Sequence, residues 1–481
     1  MILEYFIWIM LGSLYGLLIG VVPIAGVTTA LITVFGVAHY FLSMPYVGIA
    51  FLTSLIAACA AADSYTSILT GIPGASTTAA CVIDGYPMTK NGEAGRALGI
   101  AIFDSTLQGV FYGVVAFSLL PLYSKIILWF GIPEFAGFMI MSLACVGFVA
   151  SKNPIKSVIA IMLGLFFGMI GQEPSTGEFR YTFGWEYLGA GLQMIPLISG
   201  LFGFPEIIEG FKTRHQKPPQ IVNYWPQMRQ GFADCRKYWR DMMRGGFIGF
   251  VTGLLPGVGG AIGDFLAYGS TVAKHPDQKF GNGNPLGLLG CEGANSAQKV
   301  SSMIPTVLFG IPAAPFAAIM MAVALYFGIE LGTPMLLADK EFIWALGTGF
   351  VAGSIIVGLV SIFFMKYIVK ILEVPYWIYA SIIIVIMVWA NLEYTGGWED
   401  VAILAICGLV GYLCKYFDIS RPAILVTYVV AEKLEGYIKQ TELLYTWQDL
   451  ITRPIFMVTI VIALIIILRS VRNKNRGLDY V

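Results

Sequence analysis

The chain is a succession of long apolar runs separated by short polar stretches. The clearest runs lie near 5–22, 27–42, 97–120, 135–150, 155–171, 187–204, 246–269, 313–330, 345–365, 373–390, 400–414 and 454–468. A helix needs about 20 apolar residues to cross the hydrocarbon core, so this pattern predicts an all-α polytopic membrane protein with about 12 transmembrane helices. Composition agrees. Of 481 residues 57% are hydrophobic and only 12% charged, with a mean hydropathy of +0.77, against roughly 25% charged in ordinary soluble domains. The opening "MILEYFIWIMLGSLYGLLIGVV" lacks a basic start and reads as a retained spanning helix rather than a cleaved signal.

One segment breaks the pattern. Residues 211–244 hold no long apolar run, and their Lys and Arg outnumber Asp234 and Asp241. The C-terminal "RSVRNKNRGLDY" is basic as well. Basic loops stay in the cytoplasm, which places both there. The plain reading of 211–244 is a solvated tether. It divides the chain into a first transmembrane repeat (1–210), the linker (211–244), a second repeat (245–452), and an additional C-terminal helix with a basic tail (453–481).

The halves read as copies. A shift of 233 places Gly12, Gly16, Gly20, Pro23, Gly26 and Gly36 onto Gly245, Gly249, Gly253, Pro256, Gly259 and Gly269. Downstream, "ILTGIPGASTTAA" (68–80) meets "VLFGIPAAPFAAI" (307–319) at a shift of 239, and "RALG" meets "WALG" at 248. Repeats of this length are a hallmark of secondary transporters. The glycines at four-residue spacing put small residues on one helical face, where a second helix can approach closely.

The four segments "PIAGVTT" (23–29), "GIPGAST" (71–77), "PGVGGAI" (256–262) and "GIPAAPF" (310–316) do something else. Proline removes a backbone donor and glycine permits unusual backbone angles. Broken backbone in a membrane is tolerated where it is buried in protein or lines a wet cavity. Paired Gly/Pro interruptions in two halves point to a transporter's central site. The candidate substrate- or ion-binding positions are Gly26, Thr28, Thr29, Ser64, Thr66, Pro73, Gly74, Gly257, Gly259, Gly260, Asn295, Ser296, Lys299, Pro312 and Ala313. Asp63, Asp264 and Glu292 are candidates for a coupling ion, sodium or proton. Thr28, Thr29, Ser76, Thr77 and Thr78 offer hydroxyls to a carboxylate or bond back to their own helix. Glu292, Asn295 and Ser296 offer oxygens and an amide close together, although Gly and Asn are also common in loops. Asp84 and Lys90 read as a turn with a solvated rim, and Asp264 as an ion ligand or a helix cap.

Net charge is zero, with 29 basic and 29 acidic residues, so nothing favours a nucleic-acid partner. The seven cysteines are scattered without a C-x-x-C pair, and the three histidines share no ligand spacing, so no metal site and no cofactor are expected. No nucleophile, zinc or Walker motif is present, which argues against an enzyme. A passive channel or a scaffold subunit remains the alternative class, because a channel also uses carbonyls at broken helices.

The stretches "GLLIGVVPIAG", "GIPGASTTAACVIDGYPMTKNGEAGRALGIA", "GEFRYTFGWEYLGAGLQMIPLISGLFGFPEI", "GLLPGVGGAIGDFLAY", "FGNGNPLGLLGCEGANSA" and "IPTVLFGIPA" resemble, in order and over nearly the whole chain, the large membrane subunit of the tripartite tricarboxylate transporter family. That resemblance implies a secondary transporter of the bacterial inner membrane. It also implies a small four-helix membrane subunit, a periplasmic solute-binding protein, a small carboxylate substrate such as a tricarboxylate, and symport on a Na+ or H+ gradient. Three places depart from the family pattern: Ala61-Ala62-Asp63-Ser64, Asn295-Ser296-Ala297-Gln298-Lys299, and Ile311-Pro312-Ala313. Two of them introduce charge. Asp63 and Lys299 fall in equivalent loops by the repeat. They are expected either to pair, or to divide their work, with Lys299 on a substrate carboxylate and Asp63 on the coupling ion.

Overall fold

The computed structural model describes residues 2–127, 129–149, 153–173, 176–212, 221, 223–255, 261–332 and 339–475. In chain order its helices are α1 (Ile2–Val21), α2 (Gly26–Val34), α3 (Pro45–Thr70), α4 (Ala79–Lys90), α5 (Ala94–Ile127), α6 (Ile132–Ala144), α7 (Pro154–Gly168) and α8 (Met194–Lys212). They continue as α9 (Tyr224–Lys237), α10 (Trp239–Gly253), α11 (Ala261–Lys274), α12 (Pro285–Phe309), α13 (Pro315–Tyr326), α14 (Lys340–Ile371), α15 (Tyr376–Thr395), α16 (Trp398–Tyr416), α17 (Arg421–Leu444) and α18 (Pro454–Asn475). Two short antiparallel strands, Gly171–Gln172 and Phe179–Arg180, pair with each other. The chain is an all-α membrane protein.

Among the described residues six helices are long and apolar enough to cross a membrane: Leu3–Val21, Pro45–Thr70, Ala94–Leu120, Met194–Lys212, Lys340–Ile371 and Tyr376–Glu393. Two differences from the expected runs matter. Pro45–Thr70 and Pro285–Phe309 were not among them, yet both are long helices buried along almost their whole length. Their polar residues face other helices instead of water, so polarity there does not mean a loop. The expected single span at 246–269 is instead two helices, with α10 ending at Gly253 and α11 starting at Ala261.

The glycine stripes pack as their spacing predicts. A Cβ added at Gly12, Gly16 or Gly20 of α1 would come within 2.6, 2.4 and 2.9 Å of the carbonyls of Phe51, Leu55 and Cys59 on α3. At Gly245, Gly249 and Gly253 of α10 it would meet those of Gly290, Ala294 and Gln298 on α12 at 2.4, 2.3 and 2.6 Å. The partner positions 51 and 290, 55 and 294, 59 and 298 are each 239 apart. Such approach lets two backbones touch in lipid, where packing replaces the hydrophobic drive. Likewise α14 lies against α3, with Gly349 on Ala50 and Gly353 on Ser54, while α5 lies against α12.

The segment read as a tether contains a docked helix. On α9, Tyr224, Met228 and Cys235 are buried, and Gly231 lies on the backbone of α5 beside Arg96 and Ile100. The Arg96 Nε donates to Asp234 at 2.6 Å. Its basic residues therefore ride on the polar face of an amphipathic helix.

Candidate functional site

The site begins where α3 and α12 stop. Each ends on a glycine in the left-handed region, Gly71 at φ 71° and Gly310 at φ 63°, the usual way to terminate a helix without strain. Ile72-Pro73-Gly74 and Ile311-Pro312-Ala313 follow. The Gly74 N–H donates to Ser67 Oγ at 3.1 Å and the Ala313 N–H to Thr306 Oγ1 at 3.4 Å. Ala75 and Ala314 then run extended, at φ/ψ of −140°/163° and −145°/161°, and cap the next helical turns. One difference stands out: a Cβ at Gly74 would sit 2.1 Å from the Asp63 carbonyl.

Both breaks open on one cavity of about 670 Å³, within the range of about 300–1,000 Å³ usual for small-molecule sites. Its wall takes Ala25 to Thr28 from the start of α2, Ala75 and Thr77 from the turn leading into α4, Ala314 to Phe316 from the start of α13, and Arg421 with Pro422 from the start of α17. Gln298, Lys299 and Ser302 come from α12, Glu206, Glu209 and Phe202 from α8, and Lys415 from α16. Helix N-termini carry partial positive charge and unpaired N–H groups, and they converge on a wall where Lys299, Lys415 and Arg421 stand against Asp63, Glu209 and Glu206. Lys299 pairs with Asp63 and Lys415 with Glu209, while Thr29 Oγ1 donates to Glu206 at 3.1 Å, so the helix ends supply the positive bias that the paired charges do not. Ile24, in the wall, adopts φ 70°, an outlier for a β-branched residue that costs of order 1–3 kcal/mol and tends to mark functional backbone.

Behind the wall lies a buried ion pair. Asp63 and Lys299 sit inside α3 and α12, not in loops as the sequence indicated, and their charged atoms are 3.5 Å apart. Asn295, one turn before Lys299, binds both: its amide donates to Asp63 Oδ1 at 3.0 Å and to the Ala60 carbonyl at 2.8 Å, and its oxygen accepts from Lys299 Nζ at 2.7 Å. Lys299 Nζ also donates to Thr77 Oγ1 at 3.0 Å, which carries the network to the cavity wall. Burying two charges is costly, so such a pair survives only with this degree of satisfaction, and removing one partner costs about 3–5 kcal/mol.

A second polar layer lies one turn away. Glu292, at i−3 from Asn295, is fully buried. It accepts from Ser64 Oγ at 2.8 Å, from Cys81 Sγ at 3.4 Å and from Ser105 Oγ. Asp104, next to Ser105 on α5, is fully buried with neither oxygen hydrogen-bonded among the described residues. Asp264 on α11 is in the same condition, so it caps no helix there.

The sequence candidates thus divide. Gly26, Thr28, Pro73 and Lys299 line the cavity. Gly74, Ala313 and Pro312 shape the breaks. Asp63, Ser64, Asn295 and Glu292 form the buried layers, while Thr66 donates to the Val21 carbonyl at 2.6 Å and Ser296 is buried in α12. Gly257, Gly259 and Gly260 lie outside the described residues. Asp84 is a correction. It is buried rather than on a solvated rim, and its Oδ1 accepts from the N–H groups of Gly281, Gly283 and Asn284 at 2.8, 3.0 and 2.8 Å. It therefore ties α4 to the loop that starts α12. The sequence reading missed Glu206, Glu209, Gln298, Ser302, Lys415, Arg421 and Asp104. For Arg421 a signal existed: "SRP" is a helix start, with Ser420 Oγ accepting from the Ala423 N–H at 3.3 Å.

Broken helices around a cavity, with charged layers buried behind it, are the arrangement expected of a polytopic membrane protein of the transporter class. Residues 6–426 match the Tripartite tricarboxylate transporter TctA family, and the chain belongs to that family. It is similar to the "Uncharacterized 52.8 kDa protein in TAR-I ttuC' 3'region" of Agrobacterium vitis, with 27% identity over 97% of this chain and 95% of that protein. It is also similar to the "Uncharacterized protein in TAR-II ttuC' 3'region" of the same organism, with 24% identity over 47% of this chain and 98% of that protein. No solved structure matches.

Proposed function

We propose that this chain is the permease of a binding-protein-dependent secondary transporter that imports a small carboxylate across the bacterial inner membrane on a sodium or proton gradient. The observation that carries this reading is the convergence of the α2, α13 and α17 N-termini on a cavity that also holds Lys299 and Arg421. That arrangement suits a carboxylate, whose charge the helix ends and cations share. Thr28 and Thr77 supply hydroxyls, and Lys299 answers to both the substrate and Asp63. Asp63, Asp264 and Glu292 are the groups assigned to the coupling ion. The 239-residue register of seams and breaks supports two repeats, 1–210 and 245–452, related by duplication, and the basic composition of 211–244 and of the C-terminus favours the cytoplasmic side for both. A small four-helix subunit and a periplasmic solute-binding protein complete the system.

The test is uptake of labelled di- and tricarboxylates by vesicles holding the reconstituted complex, with Na+ and H+ gradients imposed separately. Accumulation above the outside concentration is expected. Equilibration without accumulation would make the protein a channel, and absence of flux a scaffold; either overturns the reading.

A further inference from the structure

Among the described residues, nearly every buried acid outside the second polar layer has a clear partner. Asp63 has Lys299, Asp234 has Arg96, Asp241 has Lys274, Glu134 has Arg453, Glu173 has Lys439, and Asp84 has three backbone N–H groups. Asp104 and Asp264 stand apart: both are fully buried, and no oxygen of either has a well-aligned hydrogen bond. Of the two, Asp104 lies beside Glu292, between Ser105 and the Gly293 backbone, with the Gln108 amide and the Gly293 N–H as its nearest donors. An isolated buried carboxylate is too costly to keep charged, so it takes up a proton or a cation. Its setting favours the proton. The position of a Cβ at Gly293, the residue after Glu292, is 2.8 Å from Asp104 Oδ1 and 3.0 Å from the Gln108 amide. That amide is itself committed to the Met242 carbonyl at 3.0 Å. The backbone of α12 thus closes over Asp104, and the oxygens of Glu292 already face Ser64, Ser105 and Cys81. A sodium ion would need space and several oxygen ligands at Asp104, where the Gly293 backbone and the Gln108 amide already crowd the carboxylate, whereas a proton needs no room.

We infer that Asp104 and Glu292 form a proton-binding carboxyl pair inside the membrane, separate from the substrate cavity. On protonation one O–H bond forms on a carboxylate oxygen, and release restores the anion; no other bond changes. A line of polar contacts joins the pair to the cavity. Glu292, Asn295 and Lys299 share one face of α12 at i, i+3 and i+7. Ser64 and Asp63 are their neighbours on α3, and Thr77 ends the line at the wall. The other ionisable groups facing the pair are Asp63 and Tyr65 on α3, Cys81 on α4, Tyr112 on α5, Cys235 on α9, Asp264 on α11 and Cys291 on α12. None of these is a cation, and Lys299 is held by Asp63.

This inference rests on the transporter reading, but its first readout does not need transport. Infrared difference spectra of the full chain in lipid, recorded across a pH series without substrate, are expected to show a protonated-carboxyl band. Asp104→Asn should abolish that band and Asp104→Glu should restore it at a shifted position. A spectrum unchanged in Asp104→Asn, or a band removed by adding sodium at constant pH, overturns the proposal. In reconstituted complex, an inward proton gradient should stimulate wild-type uptake roughly tenfold, inside the usual range for coupled sites. Asp104→Asn should lose that stimulation, and Asp104→Glu should recover part of it. Uptake driven by sodium alone, with no response to pH, would sink the proton pair while leaving the transporter reading intact. A titrating band with no uptake would do the reverse.

Discussion

The breaks after Gly71 and Gly310 share a backbone and differ in chemistry. Both end a long buried helix on a left-handed glycine, both aim an N–H at a hydroxyl seven residues back, and both continue through an extended alanine. Yet the residue 239 after Asp63 is Ser302, the one after Gly74 is Ala313, and those 239 before Asn295 and Lys299 are Ile56 and Ala60. The geometry is duplicated, while the charge sits across the pair: an acid on α3, and a lysine and an amide on α12. A shared scaffold places two helix ends at the cavity, and the unmatched side chains between them make the site asymmetric.

The largest way to break this comparison is to remove the cation. Lys299→Met strands Asp63 in the interior, so a loss of about 3–5 kcal/mol is expected, with uptake abolished. Ser302→Ala, at the position matching Asp63, removes only a hydroxyl that donates to the Gln298 carbonyl, and should cost about 1 kcal/mol. Thermal unfolding of the purified protein in detergent reads both. The double variant Asp63→Asn/Lys299→Met should regain most of the stability but not the uptake, which separates the pair's structural cost from its function. If Lys299→Met unfolded no earlier than Ser302→Ala, the pair would not be a charged pair at all.

How much of this was legible follows from the physics of each signal. Glycine spacing reports backbone contact directly, because only a missing Cβ allows it. The α1 seam on α3 and the α10 seam on α12 were therefore readable before any partner was known. The Gly/Pro breaks after Gly71 and Gly310 were readable because proline removes a backbone donor and glycine takes a positive φ, while the one expected at 256–260 lies outside the described residues. The buried polar layers were not placed correctly, since Asp63, Glu292, Asn295 and Lys299 look like loop residues when judged by polarity. Inside a bundle, polarity shows only that a partner is near, and the partners are 228 to 236 residues distant in sequence. Glu206 and Lys415 were invisible because they reach the cavity from helices that carry no break, and Arg421 was marked only by its helix start at Ser420. Asp104 lay hidden in an apolar run, where one acid barely lowers hydropathy.

A smaller effect tests the packing difference itself. Gly74→Ala would put a methyl group 2.1 Å from the Asp63 carbonyl, so α3 or the break must move, at about 1–3 kcal/mol. Because the same carbonyl belongs to the residue that holds Lys299, uptake should fall along with the melting temperature. Ala313→Gly, the reverse exchange at the matched position, removes a methyl group that the second break already accommodates and adds freedom to the unfolded chain, which costs roughly 0.5–1 kcal/mol. Equal losses would show that the two breaks are packed alike.

The smallest expected effect concerns the hydroxyls that both breaks use. Ser67→Ala frees the Gly74 N–H and also ends the bond from Ser67 to Thr78 Oγ1 at 2.8 Å. Thr306→Ala frees the Ala313 N–H, whose bond is longer at 3.4 Å, and ends the bond from Thr306 to the Ser302 carbonyl at 3.0 Å. A net hydrogen bond is worth about 1 kcal/mol, and a buried donor left unpaired somewhat more, so Ser67→Ala, which loses a side-chain partner as well, should destabilise by about 1 kcal/mol more than Thr306→Ala. Thr78 begins the turn that carries Thr77, the hydroxyl that receives Lys299, so the first change should also weaken substrate affinity. The second, remote from any charge, should move stability alone. Hydrogen exchange at the Gly74 and Ala313 amides gives the local readout: both should exchange faster, each only in its own variant. Exchange at Gly74 that accelerates in Thr306→Ala would mean the two breaks move as one unit, and the asymmetry would then lie in charge alone, without any difference in local rigidity.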